Sequence, residues 1–524
     1  MAGTVAALFR LAGAGFVLAR EGAFAGVPMD EVPPGPPRTL LRLARLLERR
    51  KTAGEAERLT TALNRLGPSY VKLGQFLATR PDLVGTDVAL TLGKLRDEIE
   101  PFPESEARAT VEKALGKPLD SLFDAFSPPV AAASISQVHK AEVAGEDGPR
   151  AVAVKVLRPG IRQRFRRDLE TFYAAARLVE RLDPRSRRLR PVAVVDTLAR
   201  SVTIEMDLRL EAAALSEMAE ATADDEGFRV PTIAWERTAR DVLTLEWIDG
   251  TKLSDVEALR AAGHDLPELA RKLMQSFLRH ALRDGFFHAD MHQGNLFVDA
   301  GGDIVAVDFG IMGRLSHAER RFLAEILFGF IRRDYRRVAE VHFEAGYVPG
   351  GHSVDDFAQA LRAIGEPIHG HRARDISMAR LLSLLFEVTE LFDMQTRPEL
   401  LMVQKTMVVV EGVSRSLDPD FDMWSASEPV VRDWIERFLG PVGQIERAAE
   451  GMGAIGRLVG ELPRLAERTE RLSAELDRMA GHGLRLDAET VAGIGRSEAR
   501  AARWGRVALW VIAVAAVVIA WKMG

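Results

Sequence analysis

Three features of the sequence predict an α+β chain of two lobes. Apolar residues recur at helical spacing before residue 130 and again after residue 316. Short strand-like runs sit between those stretches, at Ala131–Val143, Ala151–Leu157, Val242–Trp247, Leu296–Val298 and Ile304–Val307. Glycine-rich turns separate paired runs, as at Gly145–Gly148 and Asp299–Asp303. With 524 residues the chain can bury a large core and carry appendages. A net charge of −5, with 4 Tyr and 7 Trp, makes no case for a nucleic-acid partner. The absence of cysteine excludes disulfides and thiolate metal sites and fits a reducing compartment.

The stretch Phe286–Gly310, FFHADMHQGNLFVDAGGDIVAVDFG, organises the rest. Asp290 lies in a His-Ala-Asp turn, Asn295 follows five residues later, and Asp308 opens Asp-Phe-Gly after a short apolar run. That is the spacing of a kinase catalytic loop and its metal-binding triplet. Phosphoryl transfer asks the protein for oxygens that hold magnesium on the phosphates and one carboxylate beside the attacking oxygen. Asp308 and Asn295 are the candidate metal ligands and Asp290 the candidate base. The hairpin Leu296–Val298 and Ile304–Val307 sets their separation. The fold class is therefore α+β, protein-kinase-like and two-lobed, with an N-terminal helical extension.

Taken in order, Val5–Leu18 is apolar apart from Arg10 and reads as an amphipathic helix, resting either on a membrane or on the domain. Pro33–Pro37 reads as a stiff spacer. Between Arg38 and Lys51, Leu40, Leu43 and Leu47 share a helical face among Arg42, Arg45, Arg49 and Arg50. This suits anionic headgroups or a surface helix packed on its leucines. In Gly67–Gly85, Pro68 starts a helix; Lys72 and Gln75 share a face, Gly74 allows another backbone close, and Leu73, Phe76 and Leu77 form the packed side.

Pro101–Val130 reads as helical, with Phe102, Val111, Leu115 and Leu122 buried. An alanine-rich loop, Ala131–Ser134, then leads into strands, and Lys155 protrudes from the apolar run AVAVKVL as the strand lysine that pairs with nucleotide phosphates. Ala132, Ala133 and Ser134 stand where a kinase has glycine-rich loop residues. Arg162–Arg167 and Arg185–Arg190 read as solvated basic clusters. Ser201–Leu215 reads as one helix carrying Glu205, Asp207 and Glu211, with Asp207 and Glu211 stacked on one face as a source of an acidic partner for Lys155. Glu246–Gly250 reads as the hinge between lobes, with Glu246 and Ile248 offering backbone to adenine. Leu266–Asp284 reads as a helix feeding the Asp290 loop.

These motifs resemble the UbiB family of atypical kinases, the aarF-domain-containing, coenzyme Q-linked group. The resemblance runs from about Pro68 to about Gly313. It rests on Lys-x-Gly-Gln at Lys72–Gln75, the loop Ala131–Ser134, Ser136-Gln-Val-His139, Val152–Lys155, Glu-x-Asp at Glu205–Asp207, the loop His288–Asn295, and Asp308-Phe-Gly. It implies that Lys155 pairs with Glu211. It also implies that Lys72 and Gln75 sit over the site as regulatory residues, with Lys72 paired to Glu205. The cofactors it implies are ATP and Mg. Family members more often have prolines where this chain has Met291 and Gln293.

After Gly310 the chain runs within a few residues into Ser316-His-Ala-Glu319, a capping box. That leaves no activation segment to form a peptide platform. ATP hydrolysis or transfer to a small lipid-like molecule is thus expected over phosphorylation of proteins in trans.

The C-terminal lobe reads as helical to about Leu439, with Leu381, Leu384, Leu385, Phe386, Leu391, Val403 and Met407–Val410 in its core. His369 and His371, beside Arg372 and Arg374, read as a flexible loop. From Ile455 to Met479 apolar residues alternate three- and four-residue steps, and this helix packs on the lobe, on lipid or on a partner copy as a homodimer. Val507–Trp521 is an apolar run of roughly 22 Å against a hydrocarbon core of roughly 30 Å. Snorkelling Arg506 and Lys522 and flanking tryptophans make up the difference.

The expected organisation is a basic helical region (1–66), a helical extension (67–130), an N lobe (131–250), a C lobe (251–440), an amphipathic helical region (441–503) and a C-terminal membrane helix (504–523). Arg496, Arg500, Arg503 and Arg506 place the lobes on the cytoplasmic side of the inner membrane. The expected function is a membrane-anchored atypical kinase or ATPase. By resemblance it supports ubiquinone synthesis near polyprenyl-phenol or quinone intermediates and, as partners, other quinone-biosynthesis enzymes. The alternative is an ATP-dependent chaperone or scaffold with little turnover.

Overall fold

Pro36 and Pro37 do not continue a spacer; they open a helix, because proline's fixed φ suits a first turn whose N–H groups have no partner. In the computed structural model the described residues are 2–24, 36–48, 55–78, 100–145, 148–182, 190–370, 387–388, 391–394 and 398–439, with isolated positions between 84 and 95. One unit extends to Ile435; of the second, Glu436–Gly524, only the end of the last helix is described. The expectations at Pro33–Gly35, Arg49–Lys51, Arg185–Arg188, His371–Arg374, Leu381–Phe386, 441–503 and 504–523 lie outside the described residues, as does the side chain of His369.

The N-terminal helices are α1 (Ala2–Arg20), α2 (Pro36–Leu46), α3 (Glu55–Leu66) and α4 (Pro68–Ala78). Helix α1 rests on the domain: Arg10 donates to Thr171 (3.0 Å) and pairs with Glu170 (2.7 Å) on a later helix. In α2, Leu41 is buried while Leu43, Leu46 and the following Leu47 are exposed. Gly67 separates α3 from α4 at φ +98, and a Cβ there would fall 2.1 Å from the Arg164 guanidinium that donates to the Leu66 carbonyl at 3.0 Å. In α4 the buried side is Ser69, Val71, Lys72 and Gly74, with Leu73, Phe76 and Leu77 only half-buried. Gly74 makes room for the side chains of Leu63, Leu92 and Leu95, not for another backbone.

Pro101–Val130 is not one helix. Helix α5 (Glu104–Leu115) stops at Gly116 in the left-handed region, and a strand, β1 (Ala125–Ala132), follows. Pro128 and Pro129 argue against a strand, yet β1 is the edge of its sheet, where a missing N–H costs no ladder bond, and its register shifts at Pro129. Strands β2 (Ser136–Gly145) and β3 (Gly148–Leu157) form a hairpin with Val138 opposite Lys155.

Helices α6 (Ile161–Leu182), α7 (Pro191–Glu205) and α8 (Leu208–Ala221) come next, then β4 (Phe228–Arg229) and β5 (Val242–Glu246). The first sheet has the order β1-β2-β3-β5. Val152, Val154 and Val156 face the core with Ala107, Val111, Phe102 and Phe123. Strand alternation therefore sends Lys155 to the other face.

Two polar residues of β2 lie on the packed face, and both are satisfied. Gln137 accepts from the Phe102 N–H (2.9 Å) and donates to its carbonyl (3.3 Å). It also lies 2.9 Å from His139 Nε2, while His139 Nδ1 lies 2.8 Å from the Ser127 carbonyl. Nδ1 must then carry the proton and Nε2 accept; burial first, in a site without an anionic partner at contact distance, holds the ring below its ordinary pKa.

The C-terminal elements are β6 (Gly250–Lys252), α9 (Val256–Ala261), α10 (Leu266–Arg279) with a π turn at His280–Asp284, β7 (Phe286–His288), β8 (Leu296–Asp299), β9 (Ile304–Ala306), β10 (Met312–Arg314), α11 (His317–Arg332), α12 (Tyr335–Glu344), α13 (Val354–Gly370), α14 (Pro398–Leu417) and α15 (Met423–Leu439). A second sheet runs β4-β9-β8-β6 and β7 pairs with β10. Helix α10 is the hub: Leu269, Leu273, Met274 and Phe277 are buried at helical spacing, and Ser414 of α14 donates to the Ala270 carbonyl (3.1 Å). Leu391, expected in the core, is exposed. Among the described residues no helix is long and apolar enough to cross a membrane.

Replacing Gln137 by Leu strips partners from both Phe102 backbone groups and from His139. It should lower stability by about 3 kcal/mol, read as a shift of the urea midpoint, because each orphaned buried group costs about 1–3 kcal/mol.

Candidate active site

Lys155 is the centre of the site. Its ammonium donates to Glu211 at 2.7 Å and lies 3.4 Å from Asp308. Glu211 is on α8 because Ser201–Leu215 is two helices and not one. The chain breaks at Met206, and Asp207 caps α8 by accepting from the Arg209 N–H (3.3 Å). The short polar side chain competes with the helix backbone, which ends one helix and starts the next. Asp207 therefore does not stack with Glu211: its carboxylate is held by the Arg209 side chain (2.7 Å) and faces Arg240 (3.6 Å). The bonds from Arg209 hold its carboxyl below the usual range, and Asp207 is a cap in an ion cluster.

Glu205, at the end of α7, pairs with Lys72 of α4, and both are largely buried. A Cβ on Gly310 would come 3.2 Å from Asp308 Oδ1 and 4.0 Å from Glu205 Cγ, so this pair lies against the Asp-Phe-Gly turn. Gln75, a turn beyond Lys72, is half-buried.

The charges explain themselves. Burial disfavours the Lys155 ammonium, but Asp308 and Glu211 outweigh it and raise its pKa above the ordinary range. Burial likewise pushes Asp308 up, yet Lys155 and the Gly310 N–H hold it well below the usual carboxylate range. Burial pushes Glu211 up against the pull of Lys155. Asp308 is thus the firmly ionised carboxylate, and with its side chain 43% exposed it opens to the cleft.

The catalytic loop is tied from below. The Asp290 N–H donates to His288 Nδ1 (3.0 Å), the Asn295 amide to the Asp290 carbonyl (3.3 Å), and the Val307 N–H to the Asn295 carbonyl (3.0 Å). Asn295 spends its NH2 on the loop, which leaves its amide oxygen as the candidate ligand atom. Met291 is fully buried, and Gln293 donates to Ser416 at 2.8 Å. These two side chains help hold the loop in place.

Helix α14 braces it further: Thr406 donates to the Ala289 carbonyl (3.1 Å), and the Lys405 ammonium lies 3.8 Å from Asp290 Oδ1. The sequence reading took this helix as core only. The signal it missed is the polar triplet Gln404-Lys405-Thr406 set between Met402-Val403 and Met407–Val410.

Not every candidate faces the cleft. The Ala133 N–H donates to the Ser136 carbonyl (2.8 Å) and Ser134 is fully buried. The alanine-rich loop closes on itself, so the Ala133 amide and the Ser134 hydroxyl are not offered to phosphates, while Ala132 remains half-buried beside them. The Glu246 N–H donates to the Thr232 carbonyl (2.8 Å), and its carboxylate pairs with Arg229 (3.1 Å), which also bonds Asp299 (2.9 Å). Glu246 is therefore a structural anchor of the hinge through its side chain, and Ile248 beside it is buried. Arg162 and Arg164 are not merely solvated: Arg162 pairs with Asp241 (2.5 Å) and Arg164 donates to Leu66.

The donor set fits magnesium carried in on a nucleotide. Among the described residues no group of three acidic, His or Cys side chains forms a metal cage. One ionised carboxylate, Asp308, and one amide oxygen, Asn295, are what an ion needs that takes its other ligands from phosphates and water.

Comparison with known proteins agrees with this geometry. The ABC1 atypical kinase-like domain matches residues 94–342, and the UbiB helical domain matches residues 361–422. A probable protein kinase UbiB from Marinobacter nauticus is 41% identical over 414 residues, covering 78% of this chain and 75% of that protein.

The chain belongs to the UbiB family.

It has the kinase-like α+β fold. A solved structure, the complex of Rv3197 with erythromycin from Mycobacterium tuberculosis, is 27% identical with a TM-score of 0.47, over 72% of this chain and 95% of that one. The second family match ends five residues past α14, so the brace on the Asp290 loop is part of the UbiB helical domain.

Two measurements check the electrostatics. Glu211→Gln leaves Lys155 drawn to Asp308 alone, and ATP affinity by titration should fall about tenfold or more with the fold intact. His288 is buried and neutral, its pKa lowered by burial to about 4 from 6.5. The unfolded chain then binds the extra proton first. Stability is complete above pH 6.5 and is lost as pH falls towards 4, by on the order of 3 kcal/mol. His288→Asn should flatten that part of the stability–pH curve in chemical denaturation.

Proposed function

We propose that this UbiB-family chain binds Mg-ATP in the cleft and transfers the γ-phosphoryl group to water or a small lipid-like acceptor, in support of ubiquinone synthesis. The observation that carries the reading is the Lys155 ammonium between Glu211 and Asp308. It is the pairing that holds a nucleotide's phosphates beside a metal-binding carboxylate. Lys155 would bind the phosphates, Glu211 would orient it, Asp308 and Asn295 would hold magnesium, and Asp290 would accept the acceptor's proton. When bound, magnesium would neutralise charge developing on the phosphates.

The acceptor class follows from the short connection after Gly310. The Ala289 N–H donates to Ile311 (3.0 Å), β10 pairs Met312–Arg314 with Phe286–His288, and Ser316 caps α11 with Glu319. These bonds commit the backbone of the connection to the lobe, which leaves no free segment to cradle a peptide. Lys72 and Glu205, against Gly310, further narrow the approach.

Membrane placement is part of the reading. Exposed Leu43, Leu46 and Leu47 beside Arg42 suit an anionic lipid surface, and the apolar run Val507–Trp521 suits a single-pass anchor with the lobes cytoplasmic. Polyprenylated intermediates and quinone-biosynthesis enzymes are the partners this placement favours.

ATP turnover should rise with anionic liposomes or polyprenyl-like phenols and vanish in Asp308→Asn. Nucleotide binding without turnover would favour an ATP-dependent scaffold, and efficient phosphorylation of an added protein would overturn the acceptor class.

A further inference from the structure

We propose that Lys405, on a helix outside the kinase-like domain, is a catalytic residue that binds the phosphoryl group in transfer. The inference rests on the phosphotransfer reading above and extends it to a residue none of the site motifs contains.

The loop reads His-Ala-Asp, with no cation between His288 and Asp290. Two cationic or potentially cationic groups flank the Asp290 carboxylate from elsewhere: His292 Nε2 at 3.7 Å from one oxygen and Lys405 Nζ at 3.8 Å from the other. Both Asp290 and Lys405 open to the cleft, with side chains 31% and 42% exposed.

A separation of 3.8 Å is longer than a hydrogen bond, so the pair is not closed on itself. An oxygen about 2.8 Å from the carboxylate and about 2.9 Å from the ammonium fits between them. That is the place of an attacking hydroxyl or water, with the transferred group's oxygens beside it.

The position of Lys405 is also fixed. Its neighbour Thr406 donates to the Ala289 carbonyl (3.1 Å), and Ser416, a few turns on, accepts from Gln293 (2.8 Å). Helix α14 therefore carries the ammonium on the same scaffold that holds the loop, and Ser414 fixes that helix to α10. A lysine that only shielded Asp290 would need no such registration.

In the step itself, the acceptor oxygen forms a bond to the γ-phosphorus as its proton passes to Asp290. The bond from that phosphorus to the bridging oxygen breaks, and its electron pair leaves on ADP. Lys405 donates hydrogen bonds to a non-bridging γ-oxygen and gives up no proton. Its charge meets the negative charge of the group in flight, which favours the transition state over the bound nucleotide.

Lys405→Met and Lys405→Arg test this against the wild type, with Asp308→Asn as reference. Steady-state ATP turnover should show Lys405→Met reducing kcat by about 30-fold while changing KM and ATP affinity by less than about threefold. Lys405→Arg should recover most of the rate. The second readout is the affinity for ADP with magnesium and aluminium fluoride, which mimics the transferring group. Lys405→Met should weaken it at least tenfold with ADP affinity and thermal stability unchanged. Normal turnover and normal fluoride trapping in Lys405→Met would overturn this role alone. A wild type that neither turns over nor traps would remove the phosphotransfer reading, and this inference with it. Losses in Lys405→Met that track a fall in melting temperature and persist in Lys405→Arg would make the residue structural.

Discussion

One ammonium shared by two carboxylates is the interaction on which the site depends. Lys155 sits on the face of β3 opposite the valines that bury against α5, and burial disfavours its charge. It stays charged because Glu211 and Asp308 converge on it from α8 and from the strand-to-turn junction after β9. The three residues come from separate elements, so the pairing holds the strand lobe to the helical lobe and sets the electrostatics of the cleft together. Desolvated charges are tolerated only when paired, and removing one partner leaves another exposed to the full penalty.

Around that centre the protein spends polar groups on position. Gln137 and His139 fasten the segment before α5 to the sheet, Thr406 and Gln293 fasten the Asp290 loop to α14, and Arg229 fastens the hinge strand to β8. Most of these bonds join residues far apart in sequence, and those to the Phe102 N–H and from Thr406 satisfy groups that would otherwise be buried without a partner. A loop supported this way needs no proline at Met291 or Gln293 to stay in one conformation.

The same accounting changes the meaning of several motif residues. Asp207 is acidic and adjacent to the site in sequence, yet its carboxylate caps a helix and meets arginines at the surface. Ser134 lies in the alanine-rich loop, yet its hydroxyl is sealed from solvent. Glu246 marks the hinge, yet its side chain serves Arg229. Residue type and spacing locate a neighbourhood; only the hydrogen-bond partners show which way a side chain is committed.

The sequence alone determined the kinase-like α+β fold class and marked the candidate positions Lys155, Asp290, Asn295 and Asp308, which stand in motifs whose spacing follows from strand, turn and hairpin geometry. It also located the capping box at Ser316, a strictly local interaction. Tertiary structure decided the rest. The break between α7 and α8 depends on a side chain choosing a cap over helix continuation, and the strand character of Ala125–Ala132 depends on its being an edge. Lys405 reaches Asp290 across more than a hundred residues of chain. Local pattern carries no information on contacts at that distance, because helix packing, not periodicity, sets which element lies beneath the loop.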